Sequence, residues 1–191
     1  MNYPKGTKNV FKNQGTYSNR GMALENEIGE SNKYYLNNNI AIIYKKPTPI
    51  TVTKVEYPTR LETVIKEGYY KIPSTTDYNG IYKGKYIDFE AKETKSKTSF
   101  PLSNIHKHQI KHLENICNHG GIGFLIIRFT SLNETYFLKA ENLLSFLNTN
   151  ERKSIPLDYF KNYGYIIKDK YAPRVDYIEI IEKIYFGGEK K

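Results

Sequence analysis

The sequence predicts a mixed α/β fold, and three observations carry that expectation. Residues 123–129 are almost continuously apolar, as in a strand buried on both faces. Residues 85–92 alternate apolar and polar side chains, as in a strand with two unlike faces. A helical period precedes the first of these strands at the start of the chain, lies between the two, and returns near the end, giving a strand, strand, helix, strand order through the middle.

Element by element, residues 1–20 carry Lys5, Lys8, Lys12 and Arg20 with no acidic residue and no apolar period, so a flexible basic arm contacting phosphate is expected. From Gly21 to Asn37, Leu24, Ile28 and Tyr35 fall at helical spacing among Glu25, Glu27 and Glu30. Ile40 to Tyr44 suits a short buried strand. Pro47, Pro49, Pro58 and Pro73 then punctuate residues 47–73, where Lys54, Arg60, Lys66 and Lys71, with Lys45 and Lys46 just before them, outnumber Glu56, Glu62 and Glu67. That segment reads as a basic projection from the core, against the plainer alternative of a β-hairpin with solvated edges. Asn79-Gly80 predicts a tight turn into the strand 85–92. Ser103 or Asn104 can start a helix to about Cys117, stopped by Gly120 and Gly121. A strand at 136–138, a helix at 143–147 and a last helix from about Val175 to Tyr185 complete the domain, taken as one unit over residues 21–191.

Lys and Arg exceed Asp and Glu by 29 to 20, and the pI of about 9.3 makes a polyanion the natural partner. The single Cys117 permits no internal disulfide. No stretch has signal-peptide order, and the longest apolar run, 122–127, falls far short of the roughly 20 residues a membrane helix needs. A cytoplasmic protein with no membrane association is expected.

The chemistry concentrates between Thr75 and Lys92. Strand alternation puts Asp88, Glu90 and Lys92 on one face and Ile87, Phe89 and Ala91 on the other. Thr75 and Asp77 share a face just before the turn, and folding back brings Asp77 toward Glu90. One or two carboxylates, with waters and a phosphate oxygen, suffice to hold Mg2+. Such a cation lowers the pKa of bound water and stabilises charge on a phosphodiester, and Lys92 would point at the same place. Asp88 competes for the metal role but ranks below Glu90, being equally well explained as the partner of a nearby lysine. Gln109 falls inside the helical arc of Ile105, Leu113 and Ile116, either as an oxygen donor toward the metal or its water, or as a satisfied core amide. His106, His108, His112 and His119 near Cys117 lack the spacing of a zinc site and are read as flanking phosphate. Between residues 83 and 113, Lys83, Lys85, Lys92, Lys95, Lys97, Lys107 and Lys111 stand against Asp88, Glu90 and Glu93, a field that draws in a polyanion.

These residues carry a family resemblance. The runs Ser74-Thr75-Thr76-Asp77-Tyr78-Asn79-Gly80, Tyr86-Ile87-Asp88-Phe89-Glu90-Ala91-Lys92-Glu93-Thr94, Thr98-Ser99-Phe100-Pro101-Leu102 and His108-Gln109 closely resemble the RecU family of Holliday junction resolvases. Asn19-Arg20-Gly21 with Glu25, Tyr57-Pro58, Val64-Ile65-Lys66-Glu67 and Tyr171-Ala172-Pro173-Arg174-Val175-Asp176-Tyr177 extend the likeness over nearly the whole chain. The resemblance implies a restriction-endonuclease-like core, a mixed β-sheet flanked by helices, with an inserted basic stalk at about 47–73 that enters a four-way DNA junction. It implies a homodimer making paired symmetric nicks in recombination and repair, and modulation of the RecA recombinase. It implies a Mg2+ site, open to Mn2+, at Thr75, Asp77, Glu90 and Gln109, with Lys92 stabilising the transition state. Arg20, Lys54, Arg60, Lys66 and Lys95 are the expected DNA contacts, and Glu25 and Asp88 the expected support of the site. Two other readings share many of these features: a restriction or repair nuclease acting on linear duplex, and a non-catalytic architectural DNA-binding protein.

Overall fold

The computed structural model describes residues 22–59, 62–70 and 75–187. The expected arm at 1–20, Arg20 and Arg60 lie outside those residues. Among the described residues helix α1 (Met22–Asn37) comes first, followed by ten strands and four further α-helices.

Six strands form one sheet in the order β1 (Ile42–Lys45), β4 (Tyr78–Tyr82), β5 (Lys85–Thr94), β7 (Ile122–Phe129), β8 (Glu134–Lys139) and β10 (Tyr165–Ile167). Only β5 and β7 run parallel, and the crossover between them carries α2 (Lys107–Asn118), as a parallel pair requires. All eight residues of β7 are buried, which is why its sequence shows no alternation.

The sheet has a core on each face. On one side, Leu24, Ile28 and Tyr35 of α1 and Tyr177, Ile178 and Ile181 of α5 (Tyr177–Tyr185) cover Ile87, Phe89, Phe124 and Phe137. Rings of four neighbouring strands stack there, with centroids 4.7 Å apart for Tyr78 and Phe89, 4.6 Å for Phe89 and Phe124, and 4.3 Å for Phe124 and Phe137. On the other side, Leu113 of α2, Leu143 and Phe146 of α3 (Ala140–Thr149) and Phe160 of α4 (Leu157–Tyr163) cover Leu125, Ile127, Phe129 and Leu138. A short two-stranded antiparallel sheet of β6 (Ser99–Pro101) and β9 (Ser154–Pro156), distant in sequence, closes that side.

Several expectations need correction. The strand expected to be buried at Ile40–Tyr44 is the sheet-edge strand β1, with Ile43 buried and Ile42 and Tyr44 exposed, because alternate side chains point to opposite faces and only the face of Ile43 meets the α1/α5 core. Asn79 and Gly80 are not a turn but lie inside β4, opposite Asp88 and Ile87. Gly80 is needed for close approach, since a Cβ there would collide with Ile42 O and Ile43 Cα of β1. The turn is Lys83-Gly84, with φ of 47° and 76°, both in the left-handed region that a two-residue hairpin loop demands. The central helix starts at Lys107 rather than at 104, with a 3-10 turn over Leu102–Asn104 before it. The β6/β9 pair, α4 and β10, each short, have no periodic signature long enough to detect.

Among the described residues, strands β2 (Ile50–Thr59) and β3 (Glu62–Tyr70) pair only with each other. Their ladder breaks register between Val52 and Lys54, Lys54 and Val55, and Glu56 and Thr59, and nearly every described position is exposed, including Tyr57, Tyr69 and Tyr70. The described residues of the segment therefore form an exposed antiparallel pair outside the six-stranded sheet, with Arg60 and Lys71 outside the described residues.

Candidate active site

Strand register builds the site. The pairs Tyr78 with Phe89 and Tyr82 with Lys85 set the β4/β5 ladder, and one step beyond it Asp77 faces Glu90. The backbone confirms that step, since Asp77 N–H donates to Glu90 Oε2 at 3.0 Å. Alternation along β5 sends Ile87, Phe89 and Ala91 into the α1/α5 core and Asp88, Glu90 and Lys92 to the opposite face. Glu90 stands beside Leu125 in the parallel register and its side chain is fully enclosed.

Lys92 marks where the two carboxylates converge. Its Nζ lies against Glu90 Oε1 and 3.5 Å from Asp77 Oδ2. Burial pushes the Glu90 carboxyl up to about 7, with Lys92 opposing that rise and Asp77 adding to it. Burial also works against the Lys92 charge, but the two neighbouring carboxylates outweigh it and raise its pKa. The pair therefore attracts positive charge strongly, as a cation site must. Among the described residues no three His, Cys, Asp or Glu side chains cluster as a metal site, and the acidic side chains that converge at Lys92 are the two carboxylates of Asp77 and Glu90. That set suits a hard cation that keeps most of its water.

Other predicted residues fall into place unevenly. Thr75 is exposed, its Oγ1 accepting from Lys46 Nζ at 3.2 Å. Gln109 is buried in the first turn of α2, where its Oε1 accepts the His106 N–H at 3.0 Å. That bond is one half of a capping box and fills one of the oxygen's two lone pairs. Gln109→Ala is expected to lower the stability of the metal-free protein by about 1 kcal/mol through lost capping, with Gln109→Glu restoring it; urea unfolding measures both. A purely ligand role would leave metal-free stability unchanged.

Asp88 is not on the surface but fully enclosed, with Lys46 Nζ at 2.6 Å from its Oδ2. Of its further partners, Tyr86 lies two residues back on the same strand, whereas Thr76 and His112 come from distant segments that no local pattern announces. Glu25 pairs with Lys45 at 2.5 Å, and its charge is felt with those of Asp77 and Glu90 at the buried Tyr78 hydroxyl, whose pKa burial raises first. Of the four histidines, His112 meets Asp88, while the His106 and His108 rings stack with centroids 5.4 Å apart on the exposed start of α2. Lys54 and Lys95 are exposed, and Lys66 pairs with Glu56 at 3.1 Å. Lys83 and Lys111 are drawn to Glu182 and Glu114, whereas Lys95, Lys97 and Lys107 make no ion pair among the described residues and remain open to a polyanion.

A mixed sheet in which β5 and the segment before β4 bring two carboxylates and a lysine together among exposed basic residues defines the class, an α/β protein with an acidic pair set in a basic surface. The family model for RecU, recombination protein U, matches residues 19–183. Proteins named Holliday junction resolvase RecU from Bacillus cereus (strain B4264) and Bacillus thuringiensis (strain Al Hakam) are each 55% identical over 175 residues, covering 90% of this chain and 88% of theirs. The chain belongs to the RecU family. Among solved structures, the Holliday junction resolvase Hjc of Archaeoglobus fulgidus overlaps 74% of this chain and 93% of its own, at a TM-score of 0.41 and 10% identity. No helix of the described residues is long and apolar enough to cross a membrane.

Proposed function

We propose that this protein is a Mg2+-dependent endodeoxyribonuclease that resolves four-way DNA junctions by paired symmetric nicks in homologous recombination and repair. The observation that carries the proposal is the convergence of Asp77, Glu90 and Lys92 at one register-defined point, in a chain whose 55%-identical relatives are named Holliday junction resolvases. Asp77 and Glu90 would hold the cation, with the Thr75 hydroxyl and the free lone pair of the Gln109 oxygen as neutral donors beside them. The chemistry a cation supplies there is a lowered water pKa and an offset to charge growing on the scissile phosphate. Lys92, held charged between the carboxylates, is placed to donate to a phosphate oxygen as that charge develops. Mn2+, with the same preference for oxygen donors, is the expected substitute.

The exposed basic residues Lys54, Lys95, Lys97 and Lys107 suit contact with phosphate, which positions DNA without reading bases. The projecting hairpin supports the choice of a branched substrate, because only an open junction offers a central space for it. A homodimer with one site per subunit matches the near two-fold symmetry of a junction. Family membership likewise supports the RecA contact and a cytoplasmic address.

Nicking of a four-way junction and of linear duplex, each with Mg2+ or with chelator, tests the proposal. Paired nicks confined to the junction and dependent on the metal are expected. Equal cutting of duplex would favour a repair-type nuclease, and binding without cutting in Mg2+ an architectural role. Replacing residues 50–70 by a short flexible linker is expected to cut the preference for junction over duplex by about tenfold or more, equivalent to 1.4 kcal/mol. Competition binding measures it, and an unchanged preference would remove the hairpin from recognition.

A further inference from the structure

Asp88 stands two residues from Glu90 on the same face of β5, yet its surroundings differ. Its Oδ1 accepts a short hydrogen bond from Thr76 Oγ1. Its Oδ2 meets Lys46 Nζ at 2.6 Å, Tyr86 OH at 3.1 Å and His112 Nε2 at 3.1 Å. Three partners crowd Oδ2, more than its two lone pairs, and Thr76 engages Oδ1, so both oxygens are already committed within the protein.

The same partners grip the neighbouring segment. Lys46 Nζ also donates to Thr76 Oγ1 at 2.6 Å and Thr75 Oγ1 at 3.2 Å, and the Lys46 backbone N–H donates to Asp77 O at 2.8 Å. Residues 75–77 precede β4 and have no ladder of their own. Each is tied to Asp88 or to the lysine that Asp88 holds. Lys46 is also the last residue before Pro47, where the chain departs toward the β2/β3 hairpin, so one ion pair anchors both the hairpin's root and the segment bearing Asp77.

We propose that Asp88 is a positioning residue for phosphodiester cleavage: through Thr76 and Lys46 it holds the Thr75–Asp77 segment so that the Asp77 carboxylate meets Glu90, without binding the cation itself. The inference rests on the assignment of Asp77 and Glu90 as the cation site. A carboxylate misplaced by about 1 Å costs on the order of 10²-fold in rate, and a segment outside the sheet needs an anchor of this kind to avoid that loss.

The test uses the full chain and a four-way junction, with the nicking rate followed against Mg2+ and against junction concentration. Thr76→Val keeps the shape of the side chain but removes its hydroxyl. It is expected to lower the maximal rate by about 10- to 100-fold and raise the Mg2+ requirement, with the half-saturating junction concentration changed by less than about twofold. Thr76→Ser restores both, which separates loss of the hydrogen bond from general damage. Lys46→Met leaves the enclosed Asp88 charge without its cation, so adding Asp88→Asn is expected to recover part of the rate. Mn2+ titration of Asp88→Asn is expected to show the same number of bound ions as the parent. Wild-type behaviour in Thr76→Val, failure of Thr76→Ser to restore it, a double variant slower than Lys46→Met, or an ion lost in Asp88→Asn would overturn the proposal. Asp77→Ala serves as the independent control. If it cuts normally the cation-site assignment has failed; if it is inactive while Thr76→Val is unaffected, only the positioning role has failed.

Discussion

Asp77→Ala and Glu90→Ala are each expected to lower junction nicking by roughly 10³-fold or more, because the several kcal/mol of charge stabilisation a cation provides is lost with either ligand. Junction affinity in a gel-shift assay is expected to hold or improve, since each change removes negative charge from a basic surface that faces phosphate. Glu90 offers the sharper case. Its carboxyl is enclosed beside Leu125 and its pKa is pushed up to about 7, so in the metal-free protein it is a costly anion that Lys92 only partly compensates. Glu90→Gln removes that cost along with the cation site, and is therefore expected to be inactive yet at least as stable as the parent at pH 8. Full nicking by either alanine variant would remove the pair from the chemistry.

Lys92→Ala is expected to lose about 10²- to 10³-fold in nicking, the loss associated with removing one preorganised electrostatic donor. The ammonium sits between Asp77 and Glu90, and its raised pKa keeps it charged throughout the neutral range. Lys92→Arg is not expected to restore the rate: the planar guanidinium is larger than the point charge that fits between two converging carboxylates. Single-turnover rates at saturating junction separate this loss from weaker binding. A Lys92→Ala variant within about threefold of the parent, under 1 kcal/mol, would show that the lysine only neutralises the empty pair.

Much of this arrangement was legible in the sequence because it depends on period and register. Alternation over residues 86–92 placed Asp88, Glu90 and Lys92 on one face, as the structure does. The convergence of Asp77 on Glu90 was also legible, though for the wrong turn. A turn at Asn79-Gly80 would have paired Asp77 with a residue near 82, whereas the Lys83-Gly84 turn sets the register that faces it to Glu90. Asn-Gly is a strong hairpin signal, but here the glycine answers to the edge strand β1 crowding against it, a long-range demand invisible in local sequence. The Asp88 network was illegible for the same reason. Lys46, Thr76 and His112 come from a loop, a segment before β4 and a helix, and only the closed sheet brings them to one carboxylate. Gln109 was recognised as an inward-facing amide, but its capping bond required knowing that α2 begins at Lys107.

The measurement that tests the central claim most directly is calorimetric titration of Mg2+ or Mn2+ into the metal-free protein, in buffers of different ionisation enthalpy, at pH 6 and pH 8. A carboxyl with a pKa of about 7 is mostly protonated at pH 6, and a cation must displace that proton to bind. Ionising it in the metal-free state costs stability as pH rises through about 7, so stabilisation by the metal grows over the same range. Roughly 0.9 proton released per site at pH 6 and about 0.1 at pH 8 are expected, with both the binding heat and the proton release lost in Asp77→Ala and Glu90→Gln. Binding that releases no proton at pH 6, or that persists in those two variants, would contradict the assignment of the cation to Asp77 and Glu90.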